Sequence, residues 1–425
     1  MIDVILPEAW TAKRLKYLAT YNDEVLAEST AEETEIDYVE ISGVSLSRGV
    51  EQVEQMPFGQ APSRARRRVR SGDILISTVR TYLRAIAKVN RASPNLVAST
   101  GFCVVRPDRG KVDSGFLGWA AKSEPFVSEV VSRSVGVSYP AINASELVTI
   151  EMPLPPLETQ RRIAQFLDEK TARIEGLIEK KRALLDRLAE KRQALITHAI
   201  TKGLNPDAPM KHSGIDWLGE IPAHWEVLRL KHIVSEPLSY GANAAAEFDE
   251  PEWPRFVRIT DVDELGRLRD ETFRSLPPEV AEGYLLQPND ILLARSGATV
   301  GKSFIYKESW GTACYAGYLI RARIDKQHDA RIFYWFLNSS LYWEWVRSTF
   351  IQSTIQNISA DRFANLAIAH PTDRPEQERI VNFIENSCAE IDSHWEKVSS
   401  SVARLEEYRA ALITAAVTGQ IGGLQ

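Results

Sequence analysis

The chain has 425 residues, 44% of them hydrophobic, and a formal net charge of −6. No stretch approaches the roughly 18 unbroken apolar residues that a membrane helix requires, and the N-terminus lacks the pattern of a secretory signal. The three cysteines, Cys103, Cys314 and Cys388, are too few and too widely spaced for a disulfide framework or a cysteine-based zinc site. These features predict a soluble, cytoplasmic protein without a membrane partner. The mild acidity argues against indiscriminate nucleic-acid binding.

Residues 1–155 are predicted to form the first α+β domain, because short β-branched runs such as residues 73–77 alternate with amphipathic stretches. A basic island interrupts this segment, with Asp73 as its single acid. We favour phosphate binding over a solvated surface loop, because the island flanks a strand and continues through residues 80–84. Its cations are Arg64, Arg66, Arg67, Arg68, Arg70, Arg80, Arg84, Lys88 and Arg91.

Residues 156–204 are predicted to contain one long helix, running from Glu158 to Thr201. Two prolines precede it, and Gly203 and Pro206 follow it. Apolar residues recur at a seven-residue step, which is typical of a coiled-coil seam, with one polar break at Lys181. The seam residues are Leu167, Ile174, Leu188 and Leu195, flanked by Ile163, Leu177 and Leu184.

Residues 205–372 are predicted to form a second α+β domain, with a strand at residues 290–293. The following stretch, residues 294–303, resembles a P-loop, but three residues rather than four separate Gly297 from the Gly-Lys pair. It could hold a phosphate without hydrolysing a nucleotide, and a glycine-rich turn between strands is an equal alternative. The crowded aromatics further on favour core packing over base stacking: Tyr334, Trp335, Tyr342, Trp343 and Trp345.

Residues 373–425 are predicted to contain a second long helix, from about Pro375 to Thr418. Its apolar seven-residue step has no polar break. The seam residues here are Ile384, Ile391, Val398, Leu405 and Leu412.

The two halves of the chain are copies of one another. Residues 192–201 recur as residues 409–418, and the strand at 290–293 follows the strand at 73–77 by the same displacement along the chain. This repeat displacement is far longer than the period of a solenoid, so the repeating unit is a domain plus a helix. A helix of about 44 residues is ~66 Å long, and antiparallel pairing spares the second domain from bridging that length. We therefore expect two domains related by a pseudo-two-fold axis, with the helix pair setting their separation.

Catalytic motifs are missing from the sequence. It contains no glycine-rich S-adenosylmethionine loop and no Asn-Pro-Pro-Tyr run, and its seven histidines show no metal-ligand spacing. Two alternatives to a binding protein stay open: a nucleotide hydrolase that uses residues 297–303, and a coiled-coil scaffold that does not bind DNA. The first needs a loop one residue longer, and the second leaves the basic island unexplained.

Several stretches together resemble the specificity subunits of Type I restriction-modification enzymes. They are residues 153–160 (Pro-Leu-Pro-Pro-Leu-Glu-Thr-Gln), 191–197, 217–222 with His224 and Trp225, and 294–301. The second copy departs from the pattern at residues 371–377. The resemblance implies two target recognition domains that each read half of a bipartite site in double-stranded DNA. It also implies docking of two methyltransferase subunits and two restriction or translocase subunits.

The resemblance further implies that the chain itself holds no cofactor, no metal and no catalytic residue. S-adenosylmethionine, ATP and Mg are then expected in the partner subunits. Neither the target sequence nor the spacer length can be read from the chain. The predicted DNA-binding residues are Arg64, Arg66, Arg67, Arg68, Arg70, Arg80, Tyr82 and Arg84 in the first domain, and Arg295, Ser296, Thr299 and Lys302 in the second.

Overall fold

The computed structural model describes residues 6–263, 266–297, 299–350 and 357–424. The chain divides into two compact units. Unit 1 comprises residues 1–182 and 399–425, and unit 2 comprises residues 183–398. Each unit therefore contains one predicted domain together with a part of each long helix.

Unit 1 combines short strands with three short helices before the first long helix. Its elements are β1 (Thr11–Arg14), β2 (Ala19–Tyr21), β3 (Glu35–Val39), β4 (Val44–Ser45), β5 (Gly49–Val50), β6 (Glu54–Pro57), β7 (Ala65–Arg68), β8 (Ile74–Ser77), β9 (Ile86–Lys88), β10 (Leu96–Ser99), β11 (Phe102–Pro107), α1 (Ser114–Lys122), α2 (Glu124–Ser132), α3 (Ala144–Leu147), β12 (Glu151–Leu154) and α4 (Leu157–Lys202).

Two four-stranded sheets organise unit 1, in the orders β6-β3-β10-β7 and β2-β11-β8-β9. Strands β3 and β10 are parallel, whereas β8 pairs antiparallel with both β9 and β11. All four residues of β8 are buried, which is why the run lacks the apolar and polar alternation of a half-exposed strand. The hydrophobic core of unit 1 includes Ile74, Ile76, Phe116 and Leu167.

Unit 2 repeats this plan with shorter strands. Its elements are β13 (Met210–His212), β14 (Glu220–Pro222), β15 (Glu226–Arg229), β16 (Ser239–Tyr240), β17 (Arg255–Val257), α5 (Pro278–Ala281), β18 (Ile291–Ala294), β19 (Ser303–Ile305), β20 (Ala313–Tyr315), β21 (Leu319–Ala322), α6 (Ala330–Phe336), α7 (Ser340–Phe350), α8 (Ala360–Ala364), β22 (Ala367–His370) and α9 (Arg374–Val417).

The sheet order β16-β21-β18-β19 in unit 2 matches β2-β11-β8-β9 in unit 1. The first and last residues of β18 and β19 lie at the positions that the sequence repeat gives for the first and last residues of β8 and β9. The predicted core role of the aromatic cluster is confirmed, because Trp335 and Tyr342 are buried and Tyr334, Trp343 and Trp345 pack against the same core.

The predicted long helices are both present, and their ends lie within one residue of the expected positions. Within unit 1, Glu175 of α4 pairs with Arg409 of α9, and Arg182 pairs with Glu406 at 2.8 Å. As the residue number increases along α4, the number of its partner on α9 decreases, so the two helices are antiparallel. In unit 2, Arg192 pairs with Asp392 at 3.2 Å.

The seam residues are buried where the helices lie against the domains and half-buried elsewhere. Ile178 is buried one turn after Ile174, whereas the expected flanking residues Leu177 and Leu184 are 49% and 44% exposed. Both exposed leucines lie beyond the edge of the packed face. The buried seam residues are Leu167, Ile174, Ile384 and Ile391; the half-buried ones are Leu188, Leu195, Val398, Leu405 and Leu412.

A glycine closes the end of each long helix over a tryptophan. Gly203 and Gly419 both have left-handed φ angles, +72° and +75°. A Cβ atom on Gly203 would lie 3.3 Å from the ring of Trp225, and one on Gly419 would lie 3.3 Å from the ring of Trp10. The backbone conformation and the close approach both require glycine. Each tryptophan is thereby locked into its own unit.

Candidate nucleic-acid interface

The connection between β8 and β9 presents exposed side chains on a constrained backbone. Arg80 and Arg84 both adopt the left-handed conformation, with φ angles of 50° and 53°. Such a conformation is unfavourable for residues with a Cβ atom and persists only where the surroundings hold it. Between them, Tyr82 and Leu83 are 52% and 49% exposed. The loop therefore displays an aromatic and an aliphatic side chain to solvent.

Hydrogen bonds anchor this loop at several points. The hydroxyl of Thr81 donates to that of Ser134 at 2.7 Å, and the hydroxyl of Ser77 donates to the carbonyl of Val79 at 2.6 Å. The guanidinium of Arg84 donates to both carboxylate oxygens of Glu124, at 2.8 and 3.0 Å. A bidentate pair fixes the orientation of an arginine. Arg84 therefore supports the loop as it stands.

A second exposed segment lies against the first. Val135 and Ala141 exchange backbone hydrogen bonds of 2.9 and 3.0 Å, which closes residues 135–141 into a hairpin. Ala141 also bridges to Val79 in the β8–β9 loop. Within this 135–141 hairpin, Val137 and Tyr139 are 102% and 66% exposed. Sequence reasoning missed the hairpin, although its Val-Gly-Val-Ser-Tyr-Pro composition resembles a turn.

The two segments form one mixed apolar and basic surface. The guanidinium of Arg80 lies 4.7 Å from the ring centroid of Tyr139, within the range of a cation–π contact. Contiguous exposed apolar groups are a feature of binding surfaces on folded proteins. We call this surface the reading face of unit 1; its exposed members are Arg80, Tyr82, Leu83, Val135, Val137 and Tyr139.

Three arginines of the predicted basic island are paired with acids. Arg64 contacts Glu40 at 2.8 Å and Arg70 contacts Glu24 at 2.6 Å, and Arg84 contacts Glu124 as described above. Each pair is partly exposed, so these contacts are weak and salt-sensitive. The acids lie far from the arginines in sequence, which hides the pairing from sequence inspection. The local excess of positive charge is smaller than the sequence indicates.

The remaining arginines of the island lie mainly on β7. The guanidinium of Arg66 stacks 4.6 Å from the ring centroid of Phe58, and Arg68 is exposed. Strand β7 is irregular here, because Ala65 and Arg67 pair with the consecutive residues Ser99 and Ala98 of β10. Arg67 is half-buried, and its Nε atom has no hydrogen-bond partner among the described residues. Arg66 and Arg68 are thus the members of β7 best placed for phosphates.

The equivalent loop in unit 2 joins β18 to β19, and Gly297 and Gly301 occupy the left-handed positions of Arg80 and Arg84. Thr299 is exposed, and Ser296 and Lys302 are half-buried; Ala298 lies outside the described residues. A P-loop leads from a strand into a helix, whereas this loop leads into a strand. The structure therefore has the glycine-rich turn between strands and gives no support to a nucleotide hydrolase.

Arg295 begins this loop and is positioned by two contacts. Its guanidinium lies 4.6 Å from the ring centroid of Tyr240, and its Nε atom donates to the side-chain oxygen of Asn357 at 3.4 Å. Asn357 also bridges to Ser296, as Ala141 bridges to Val79 in unit 1. In each unit, the strand connection thus bridges to one later residue, Ala141 in unit 1 and Asn357 in unit 2.

An ion pair with a buried carboxylate lies just before the first strand of each connection, at the end of β8 or β18 away from the loop, and sequence reasoning missed it. Arg106 donates to both carboxylate oxygens of Asp73 at 2.9 and 2.7 Å, and Arg323 donates to those of Asp290 at 2.8 and 2.8 Å. The paired carboxylate raises the pKa of each arginine above its usual value. Both members of the pair recur at the repeat displacement, so the signal was present in the sequence. We call these two pairs the Asp–Arg clasps.

Some features are absent from the described part of the chain. It contains no group of histidine, cysteine, aspartate and glutamate side chains arranged to hold a metal ion. Among the same residues, no helix combines the length and apolar character that crossing a membrane requires.

A family model described as the Type I restriction modification DNA specificity domain matches residues 7–186 and 225–397. The chain belongs to this family. The two matched ranges are the two copies recognised in the sequence, and each contains one strand connection of the kind described above.

Curated relatives and a solved structure resemble the chain. The Type I restriction enzyme MjaVIII specificity subunit of Methanocaldococcus jannaschii is 29% identical over 40% of this chain and 38% of its own length. The Type I restriction enzyme EcoKI specificity subunit of Escherichia coli K12 is 25% identical over 75% of this chain and 68% of its own length. Another relative from M. jannaschii is matched over 52% of its length, so the chain spans about half the length of the first relatives or less.

A solved chain from a study of complex assembly and conformational transition of the type I R-M system shares the fold, with a TM-score of 0.75 at 22% identity. The match covers 98% of this chain and 100% of that one. The predicted two-domain α+β architecture with two long helices is confirmed. The individual DNA-binding residues stay predictions.

Proposed function

We propose that the chain is the DNA specificity subunit of a Type I restriction-modification system, and that each unit reads one half of a bipartite site. The observation that carries this proposal is the recurrence of an anchored strand connection, β8–β9 and β18–β19, within a member of the DNA specificity family. Each connection bridges to one later residue, Ala141 or Asn357. The frame is shared and the exposed side chains differ, as two readers of different sequences require.

Unit 1 would contact DNA through its reading face. Arg80 is held against Tyr139, and an arginine fixed in this way can contact a base edge or a phosphate. Arg66 and Arg68 would add sequence-independent phosphate contacts from β7. In unit 2, Arg295, Ser296, Thr299 and Lys302 stand at the corresponding connection.

The first test exchanges side chains on the reading face and maps the methylated adenines of DNA modified by the complete complex. Changing Arg80 and Tyr139 to alanine should relax recognition of one half-site by about tenfold or more, because each specific base contact contributes about 1–3 kcal/mol. Arg295→Ala should affect the other half-site. Tyr17→Ala is the matched control, since Tyr17 is 58% exposed in unit 1 and outside the reading face. Unaltered recognition at both half-sites would contradict the proposal.

We further propose that catalysis belongs to partner subunits: methyltransferase subunits that bind S-adenosylmethionine, and restriction subunits that use ATP and Mg. The purified chain is then expected to show no methyl transfer, ATP hydrolysis or DNA cleavage by itself. Adding the methyltransferase subunit to the chain should produce methylation at the bipartite site. An ATPase activity of the chain that disappears in Lys302→Ala would revive the nucleotide-hydrolase alternative.

A further inference from the structure

A pocket of about 450 Å³ lies in unit 1, bordered by β5, β9, α1 and the first part of α4. Lys88, the last residue of β9, lies on the wall of this pocket. The reading face includes the loop before the first residue of β9. Four cationic side chains line the pocket, with one carboxylate and one indole. These residues are Arg48, Lys88, Arg91, Lys122, Asp168 and Trp119.

A glycine in α1 gives Lys88 its place in this pocket. A Cβ atom on Gly118 would lie 3.0 Å from the Cβ of Lys88, whereas one on Gly115 would lie 3.0 Å from Ala164 and Asp113 and in ordinary contact, 3.6 Å, with the Nζ atom of Lys88. A glycine inside a helix is about 1 kcal/mol less favourable than alanine. Here Gly118 leaves room for the stem of Lys88 to lie along α1. The helix thus gives up intrinsic stability where it accommodates an ammonium group.

The positive charge of the pocket is only partly balanced by carboxylates, because Arg48 pairs with Glu51 at 3.2 Å. Across the described residues, neither Lys88 nor Lys122 has a carboxylate within ion-pairing distance. Asp168 accepts a hydrogen bond from the indole of Trp119 at 2.8 Å. Burial, helped by nearby Arg409 and opposed by Asp168, lowers the pKa of Lys122 to about 8. A bound anion would relieve the cost of holding these cations partly out of water.

The same position in unit 2 shows that the fold does not require this charge. Ile305 replaces Lys88, Asn338 replaces Lys122 and Arg331 replaces Gly115, each at the repeat displacement or one position short of it. The guanidinium of Arg331 fills the space and pairs with Asp329 at 2.7 Å and Glu385 at 3.1 Å. Trp335 and Glu385 still stand where Trp119 and Asp168 stand in unit 1. Arg192 and Lys307 also line this pocket, and Arg192 pairs with Asp392 at 3.2 Å. Two of the three cations in the unit 2 pocket are thus paired with carboxylates, unlike Lys88 and Lys122 in unit 1.

We propose that the pocket of unit 1 binds phosphate groups, either those of a free polyphosphate or nucleotide or those of a nucleic-acid strand outside the recognised target. Lys88 and Lys122 donate to the phosphate oxygens from the wall, and Arg91 donates from the exposed rim. Charge-assisted hydrogen bonds of this kind are stronger than neutral ones. The site goes beyond the proposed reading of DNA sequence, because it uses none of the reading-face residues.

The test measures binding of inorganic pyrophosphate to the full chain by titration calorimetry. Replacing Lys88 and Lys122 by glutamine should weaken binding by about tenfold or more, which corresponds to at least about 1.4 kcal/mol. Lys307→Gln is the matched control, because Lys307 is an exposed lysine lining the corresponding pocket in unit 2. Arg91→Gln is a second test in case the double variant misfolds, because Arg91 is exposed. It should weaken binding about threefold. Absence of binding, or equal affinity in all variants, would overturn the proposal.

A competition experiment identifies the source of the phosphate. A DNA duplex without the target sequence is added to the chain saturated with pyrophosphate. If the duplex displaces pyrophosphate, and the double lysine variant binds that duplex more weakly, the pocket takes the backbone of nucleic acid. If both bind together, the pocket takes a free phosphate compound. Both outcomes retain phosphate as the ligand, and neither depends on whether the reading face recognises its half-site.

Discussion

Units 1 and 2 share a frame and differ in what the frame displays. The Asp–Arg clasps, the strand pairs β8–β9 and β18–β19, and the glycines that close over Trp10 and Trp225 recur in both. The loop between the paired strands carries Arg80 and Arg84 in one unit and Gly297 and Gly301 in the other, at the same left-handed backbone positions. The comparison teaches that the buried polar contacts belong to the duplicated scaffold, and that the exposed side chains differ between the units, as the proposed reading of two targets requires.

The largest expected effect concerns the completeness of unit 1. Its core includes Ile413, Ala416 and Val417 from the end of α9. A fragment of residues 1–210 lacks these side chains, but its own Ile196, Ala199 and Ile200 stand at the same positions of the repeat. We expect the fragment to be stable only as a dimer in which each copy supplies the missing helix end. Its target should then be an interrupted palindrome of the first half-site.

Sedimentation of the fragment and methylation mapping with the partner methyltransferase test this expectation. A fragment of residues 1–155, without α4, is the control that should not dimerise. Lys181 would face a second copy of the same helix, so the dimer is expected to be weaker than the native pairing. A folded, strictly monomeric fragment, or an asymmetric target, would show that the two halves are not interchangeable.

The next effect concerns the frame itself. Asp73→Asn and Asp290→Asn each remove the carboxylate from a buried clasp, and both should lower the free energy of unfolding by about 2–4 kcal/mol. The expected loss is smaller than for an arginine left without any carboxylate partner, because Arg106 retains Glu24 and Arg323 retains Glu236. Urea denaturation of the full chain measures it. Asp108→Asn, in an exposed carboxylate, is the control and should change little. Unequal losses in the two units would mean that the clasps are not equivalent.

A smaller effect is a difference between the two units in how their stability depends on pH. His370 ends β22 in unit 2, where unit 1 has Leu154 at the end of β12. Burial, with His328 nearby, lowers the pKa of His370 to about 4, from an ordinary value near 6.5. The unfolded chain therefore takes up this proton first, and stability is lost as the pH falls from about 6.5 towards 4.

His370→Leu should remove up to roughly 3 kcal/mol of this acid destabilisation, because each pKa unit corresponds to about 1.4 kcal/mol. Denaturation of the variant and the wild type at several pH values between 4 and 7 measures the difference. His212→Leu, which alters an exposed imidazole, is the matched control. A His370→Leu curve parallel to that of the wild type would mean that another group titrates in this range.

The sequence predicts the frame well and the interface less well, for physical reasons. The long helices are marked by local signals, namely the prolines before α4, the glycine after it and the seven-residue step. The strands at residues 74–77 and 291–294 are marked by unbroken apolar runs. The reading face depends instead on Val79 meeting Ala141 and on Arg80 meeting Tyr139, contacts between residues that are distant in sequence. The pairing of Arg64, Arg70 and Arg84 with acids is likewise non-local, so a run of cations alone overstates the free charge.

The smallest effect sharpens the account of β7 in unit 1. Arg66 and Arg68 are the arginines of β7 best placed for phosphates, so changing both to alanine should weaken DNA binding across sequences. The slope of log affinity against log salt should become shallower by about two units, because each phosphate contact contributes about 0.9. Adding Arg67→Ala should bring little further change, since the Nε atom of Arg67 is buried. Arg404→Ala, an exposed arginine on α9, is the control. A slope reduced by three units in the triple variant would mean that Arg67 turns outward to contact DNA, and an unchanged slope would mean that β7 does not touch the backbone.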